Sequence, residues 1–397
     1  MQNENKPSIL LNWQISELFG WGIAGSEIFT YLALKGKLQP VMGFPIQDQY
    51  VNGIDNLRKS LLMPSFIASN DLVSQLTSFS ENNPGQTIKI NLPVVHALGN
   101  QFSTGGFSID GQVNLGRLVF EVENFQNYLN ISEKYDAFIV ASQWNYDVLR
   151  QYTDKPIYLN HEGVDTTKFY PSPKLGLFNQ EDFVVFSGGK VEYRKAQDLV
   201  LEVFKRFSSN KNDVKLVTAW QSIYSFELSQ GFKGVLDAGL SVDSNLGANI
   251  KQWAVDNGIS QQKIIDLGQI PHQMMPSVLR EMDCAIQLSR AEGGTNFVAM
   301  ECMASGLPTL LSECTGHLDI MSYPNAIPVK VLPHPIAQHI YGAQDWREAD
   351  IADAVEKLEE LYAQKKQHGI VRPSDHFPRS WMQHSIEFEN IVLSLTA

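Results

Sequence analysis

Short apolar runs alternate along this chain with longer segments in which apolar positions recur every three to four residues. Runs of four to eight residues rich in Val, Ile, Leu and Phe have the length of strands buried on both faces, and the segments between them have a helical period. SILLNWQI (Ser8–Ile15) reads as a first strand. FGWGIAG follows as a glycine-rich turn, and SEIFTYLALKG then places Ile28, Phe29, Leu32 and Ala33 at helical spacing. LPVVHAL (Leu92–Leu98) and DAFIVAS (Asp136–Ser142) read as further strands, as do DFVVFSGG, DVKLVTA, KIIDLGQI, DCAIQLS and LPTLLS. Strands separated by helices predict parallel sheets with crossover helices, an α/β architecture. Two prolines and several turn formers in NHEGVDTTKFYPSPKLGLF divide the series. Residues 1–172 are therefore expected to form one Rossmann-like doubly wound domain and residues 173–378 a second, facing each other across a ligand cleft.

The length of 397 residues suits two domains of about 150–200 residues each. With 43% hydrophobic and 19% charged residues the chain is globular, and its net charge of −12 disfavours generic binding to nucleic acid or anionic lipid. The three cysteines, Cys284, Cys302 and Cys314, have neither metal-ligand nor redox spacing, which fits a reducing compartment. MQNENKPSILLNWQ lacks the basic region and apolar run of a signal peptide, and no stretch approaches the ~18 apolar residues of a spanning helix. A soluble cytoplasmic protein is the expectation.

The segment SRAEGGTNFVAMECMASGLP, Ser289–Pro308, joins a strand end to a helix that Thr295 or Asn296 can cap and that Gly306 and Pro308 end. The helix is almost wholly apolar, yet it carries Glu301, and Glu292 stands just ahead of it. A bare buried carboxylate costs several kcal/mol, so Glu301 needs partners. An ion pair or a helix edge that reaches water is one possibility, and hydrogen bonds from sugar hydroxyls are the other. Gly293 and Gly294 precede the helix, where free backbone N–H groups and the positive helix end favour an anion. A diphosphate flanked by hydroxyl-rich rings, as in a nucleotide sugar, suits two carboxylates set about a glycine loop.

This segment resembles the signature of the retaining glycosyltransferases of family 4, which have the GT-B fold. The family pattern, SRxEGFGxxxLEAMASGxPV, contains Glu-x7-Glu, whereas here eight residues separate Glu292 from Glu301, the extra one falling in GGTN. LNHEGVDTTKFYP resembles the end of the family's first domain, and FSGGKVEYRKAQDLVLEVFKRF its GRLxxxKGxDxLLxAF, with Ala196 where glycine is common. LGQIPHQMMPSVLREMDCAIQLSRAEGG is similar to the stretch leading into the signature. SWMQHSIEFENIVLSL resembles the last helix, which in the family returns to the first domain; residues 379–397 are expected to complete residues 1–172 in this way.

The resemblance implies roles. Lys190 and Lys195, two cations near a helix start, take the place of the pair that neutralises the departing diphosphate, with adjacent Arg194 able to share the task. Glu301 holds the ribose hydroxyls. Glu292 lies by the transferred sugar and supports positive charge at its anomeric carbon. Gly293, Gly294, Thr295 and Asn296 contact the donor. His96 stands at a strand end near the donor sugar, or is a satisfied core histidine. Gly22 and Gly25 face donor phosphate and acceptor, or make a plain turn. Asp165 caps a turn, and His161, Glu162 and His317 are loop residues without assigned chemistry. The expected activity is metal-independent transfer of a sugar, with retention, from a nucleoside-diphosphate sugar to a hydroxyl acceptor: a glycan, lipid-linked glycan, protein or small molecule. No metal or other cofactor is expected, membrane association is not indicated, and the alternatives are a non-catalytic nucleotide-sugar-binding scaffold or a GT-B epimerase or phosphorylase.

Overall fold

The computed structural model describes residues 6–125, 128–220, 232–242, 247–334, 342–370, 372, 377 and 379–396. It divides into two compact units, Met1–Gly163 with Arg379–Ala397, and Val164–Pro378.

In the first unit six parallel strands are interleaved with helices. In chain order they are β1 (Ser8–Asn12), α1 (Gly20–Leu34), β2 (Gln39–Met42), α2 (Asn56–Asn82), β3 (Val94–Leu98), β4 (Asn114–Leu118), β5 (Ala137–Val140), α3 (Gln143–Leu149) and β6 (Ile157–Leu159). The sheet order is β2-β1-β3-β4-β5-β6. Successive residues of β1 serve opposite faces, as the pleat requires. Ile9 and Leu11 pack with Ile28, Phe29 and Leu32 of α1, while Leu10 packs with Val41, Leu76 and Val94. The C-terminal helix, Trp381–Thr396, adds Phe388 and Val392 to the α1 side. It is held there also by Glu389, which accepts hydrogen bonds from the backbone N–H groups of Lys37 and Leu38 at 2.5 and 3.0 Å.

The second unit contains β7 (Phe183–Gly188), α4 (Gln197–Ser208), β8 (Val214–Ala219), α5 (Ile250–Asp256), β9 (Ile264–Asp266), α6 (Met275–Glu281), β10 (Cys284–Gln287), α7 (Phe297–Ala304), β11 (Thr309–Ser312), β12 (Ala326–Val329) and α8 (Ile351–His368). These six strands form one parallel sheet, in the order β9-β8-β7-β10-β11-β12. Val185 faces a core with α4 and α8, and its neighbours Val184 and Phe186 face another with α6 and α7. This is a doubly wound sheet whose order reverses between β7 and β10, and the crevice beyond the carboxyl ends of such a pair is where ligands bind in open α/β sheets. Among the described residues no helix is long and apolar enough to cross a membrane.

Three sequence expectations change. The first strand stops at Asn12, short of Ile15, and the turn expected over FGWGIAG belongs mostly to α1. Gly22 and Gly25 are helical; they are needed for close approach, since a Cβ on Gly22 would lie 2.5 Å from Ser16 Cβ and one on Gly25 would lie 2.2 Å from Trp13 Nε1. His96 stands in the middle of β3, not at its end, paired in register with Asn12 of β1 and Gly116 of β4.

Candidate functional site

The loops leaving β7 and β10 meet at the reversal of strand order. The β7 loop delivers Lys190, Glu192, Arg194 and Lys195, and the β10 loop delivers Ser289, Glu292 and Asn296. Glu292 is 4% exposed and collects most of them. Its Oε1 accepts from Lys195 Nζ at 2.7 Å, Ser289 Oγ at 2.5 Å and Asn296 Nδ2 at 3.1 Å. Its Oε2 accepts from Arg194 Nη1 and Lys195 Nζ, both at 2.9 Å. Burial alone would raise the carboxyl pKa, but Lys195 and Arg194 overcome it and hold Glu292 far below the ordinary carboxylate range. Burial and the neighbouring Arg194 charge pull the Lys195 ammonium below its ordinary value, against the opposing effect of Glu292. Arg194 continues to Glu192 at 2.7 Å, and Glu192 to Lys190 at 2.6 Å. Lys190 is thus separated from Glu292 by Glu192 and Arg194, with its side chain 46% exposed. Ala196, which turns this loop into α4, has φ +57°, the left-handed conformation that glycine adopts without strain.

A third loop closes on Glu292 from β11. Glu292 N–H donates to Thr315 Oγ1 at 2.7 Å, and Gly316 N–H donates to Glu292 O at 3.0 Å. A Cβ on Gly316 would lie 1.7 Å from Gly294 O, so only glycine fits. Asn296 Oδ1 accepts from Ala299 N–H and caps α7, with Asn296 itself at φ +67°. Its Nδ2 reaches His317 Nε2 at 3.0 Å as well as Glu292. His317 is fully buried, and burial lowers its pKa to about 4.

Beneath the site Arg290 is 0% exposed. It donates to both Asp198 oxygens at 2.9 and 2.6 Å, to Glu348 at 3.1 and 3.0 Å and to Tyr193 O at 2.6 Å, and it lies 4.0 Å from the Tyr193 ring centroid. Its own N–H donates to Arg194 O at 2.7 Å. Asp198 opens α4, so Arg290 ties the β10 loop to the β7 loop and the helix that follows.

Glu301 lies in α7, 6% exposed, and its Oε1 meets His272 Nε2 at 2.5 Å. His272 comes from the segment after β9 and packs its ring 5.5 Å from that of Phe169. Gly293 and Gly294 lie between Glu292 and the start of α7. Thr295 is buried, its hydroxyl 2.8 Å from Met300 Sδ. Sequence reasoning therefore named Glu292, Lys195, Arg194, Asn296 and Glu301, and His317 without a role, but passed over Glu192, His272, Arg290, Thr315 and Gly316. Their one signal is position, since THE β9 and β11 residues in question follow strands at the carboxyl edge of the sheet.

In the first unit His96 is 5% exposed and has both ring nitrogens engaged, Nδ1 with Asn12 Nδ2 and Nε2 with Asn114 Oδ1, each at 3.2 Å. Burial lowers its pKa, so the neutral ring accepts from Asn12 and donates to Asn114. This is a satisfied core histidine. Glu162, without assigned chemistry in the sequence, pairs with buried Arg117 at 3.4 Å, and Arg117 lies 4.9 Å from the Trp21 ring centroid. Asp165 accepts from Thr167 N–H and Oγ1, capping its turn.

Residues 172–323 match the family model of glycosyl transferases group 1. No curated protein matches the chain. Among solved structures, sucrose-phosphate synthase from Thermosynechococcus elongatus is similar at 14% identity and a TM-score of 0.60, over 98% of this chain and 99% of that one. The lipopolysaccharide outer core galactosyltransferase WaaB is similar at 12% identity and 0.56, and Anabaena HepE in complex with UDP-glucose at 11% identity and 0.57, each over 98% of this chain and 99% of its own. Two Rossmann-like parallel-sheet units, matched along nearly the whole chain, give this protein the GT-B fold.

Proposed function

We propose that the chain is a retaining, metal-independent glycosyltransferase that moves a sugar from a nucleoside-diphosphate donor to a hydroxyl acceptor. The observation that carries this reading is the cluster of Lys195 and Arg194 on Glu292 at the strand-order reversal, inside the segment that matches the glycosyl transferases group 1 model. Two cations already held on a carboxylate offer the charge and donors that a diphosphate needs. In this reading the diphosphate takes over Lys195 and Arg194, with Lys190 behind them, and lone pairs of Glu292 turn to the sugar. Glu301 accepts from the ribose hydroxyls, and Gly293, Gly294, Thr295 and Asn296 line the approach through their loop. The bond between the anomeric carbon and the diphosphate oxygen breaks, and the acceptor oxygen bonds to the same face of that carbon. The acceptor proton passes to the departing diphosphate. Charge grows on the leaving oxygens in the transition state, where Lys195 and Arg194 act most strongly. His96 supports the first unit from its hydrogen-bonded place and does no proton transfer.

The UDP-glucose complex of HepE makes uridine the first base to try. Thermal-shift titration of the full chain with UDP-glucose, GDP-mannose, ADP-glucose and the free diphosphates tests donor binding, because ligand binding raises Tm by mass action. One donor and its diphosphate are expected to raise Tm, equally with and without EDTA, and to release diphosphate when a hydroxyl acceptor is present. A shift lost in EDTA overturns metal independence. A shift without turnover across an acceptor panel favours a nucleotide-sugar-binding scaffold, and no shift at all removes the donor site.

A further inference from the structure

His317 has no place in the proposed chemistry, yet it is fully buried beside the most strongly perturbed carboxylate of the unit. Its contacts define one protonation pattern. Asn296 Oδ1 is spent on Ala299 N–H at the start of α7, so the amide must present Nδ2 to both Glu292 and His317. His317 Nε2 is therefore the acceptor, and the ring proton sits on Nδ1, which donates to Ser312 O at 3.1 Å. Ser312 Oγ, 3.2 Å from the same nitrogen, is itself turned to Ser289 O at 2.5 Å. The ring is thus fixed from β11 and its far nitrogen is aimed at one amide. That amide reaches Glu292 Oε1, while the two residues just before His317 grip the Glu292 backbone, Thr315 Oγ1 accepting from its N–H and Gly316 N–H donating to its O.

We propose that His317 is a positioning residue: its neutral ring holds the Asn296 amide, and Asn296 in turn orients the Glu292 carboxylate and caps α7. The inference rests on the reading that Glu292 faces the donor sugar. Without the Nε2 acceptor, Asn296 keeps Ala299 N–H and Glu292 but loses its anchor on the β11 loop, so it places the carboxylate less firmly from the α7 side. The ammonium and guanidinium would still hold the carboxylate, so binding of the diphosphate should survive while the placing of Glu292 against the anomeric carbon suffers.

The test compares His317→Leu, which removes the acceptor, with His317→Gln, whose amide oxygen can replace Nε2. Turnover is read as diphosphate release from whichever of UDP-glucose, GDP-mannose and ADP-glucose the wild type consumes. His317→Leu is expected to lower kcat by about tenfold or more, as a misplaced reacting group does, with donor KM changed less than about threefold. His317→Gln should recover most of the loss. In an Asn296→Ala background His317→Leu should cost nothing further, because the path through Asn296 is already gone. Were His317 only core packing, Leu and Gln would lower Tm alike, leave kcat per folded molecule unchanged, or add their losses to that of Asn296→Ala; any of these overturns the proposal. Hydrogen exchange of the Asn296 side-chain amide, assigned by its disappearance in Asn296→Ala, decides the contact without turnover. It should be slow in wild type, faster in His317→Leu and slow again in His317→Gln, and unchanged exchange in His317→Leu overturns the proposal. If the wild type consumes none of the three donors, the proposed function fails while the exchange measurement still decides the contact.

Discussion

Glu292 remains ionised in a nearly dry setting because five hydrogen bonds and two cations surround it, and each of those cations depends on it in turn. In the proposed reaction the cations stabilise the leaving group chiefly in the transition state. Lys195→Ala should therefore lower kcat by about 100-fold, the scale of removing one preorganised donor, with a much smaller change in donor Kd; steady-state kinetics beside calorimetric titration separate the two, and equal losses in both would refute the assignment. Glu301→Ala removes the acceptor proposed for the ribose hydroxyls and should weaken donor binding by about 1–3 kcal/mol, with unchanged affinity eliminating that role. Arg290 is different in kind. Its guanidinium touches four groups of the fold and no open surface, so its work is structural. Arg290→Leu strands Asp198 and Glu348 and is expected to cost about 3–5 kcal/mol in urea unfolding, as breaking a buried ion pair does.

At the level of elements, the site exists because β7 and β10 are neighbours whose chain segments are far apart in sequence. The helices after them pack on opposite faces, so the two loops diverge from a shared edge and leave their side chains facing each other. The β11 loop completes the arrangement through its closest approach, Gly316 against Gly294. Gly316→Ala forces a Cβ into the Gly294 carbonyl and should destabilise the unit by about 1–3 kcal/mol, as overpacking does. It should also diminish the Tm shift produced by a donor, since the displaced loop carries Glu292; thermal melts with and without the effective donor check both, and a wild-type donor shift would show that the β11 loop does not position the site. In the first unit the same economy of space explains α1. Gly22 and Gly25 let the helix begin against Ser16 and Trp13, a requirement for contact that looks in sequence like a requirement for a turn.

For the whole molecule, buried histidines set the acid side of the stability profile. His317 titrates near 4 in the folded chain, and burial lowers His384, His96 and His334 as well. For His317 burial is assisted by the facing Lys195 and Arg194 and opposed by Glu292. A histidine with a depressed folded pKa binds more protons unfolded than folded, so its contribution is complete above about pH 6.5 and is lost as pH falls from there toward 4. Carboxylates with depressed values, Glu292 and Glu192 among them, lose their contribution only below about 4.5. Between pH 6.5 and 4.5 the histidines therefore govern, and urea unfolding should reveal falling stability across that window. His317→Gln should flatten the slope by up to about 1.4 kcal/mol per pH unit, the value for one proton; an unaltered slope would mean that His317 is protonated in the folded chain.

What the sequence determined by itself is the α/β class, the parallel strands of the two sheets that read as continuous apolar runs, and the identity of the residues at the reversal of strand order in the second unit. Those features are local. A strand buried on both faces needs an unbroken apolar run, and a carboxylate beside a glycine loop at a strand end is visible without knowing its neighbours. The strand Asn114–Leu118 is less legible because it carries Arg117 inside the sheet, which is tolerable only once Glu162 arrives from 45 residues away. The tertiary structure decided partners: that Glu301 meets His272, that Lys195 and Arg194 and not Lys190 touch Glu292, that His96 spends both nitrogens on Asn12 and Asn114, and that His317 backs Asn296. Each of these pairings joins side chains from segments far apart in the sequence, and the energy of a buried polar group depends on which partner reaches it, something no local pattern encodes.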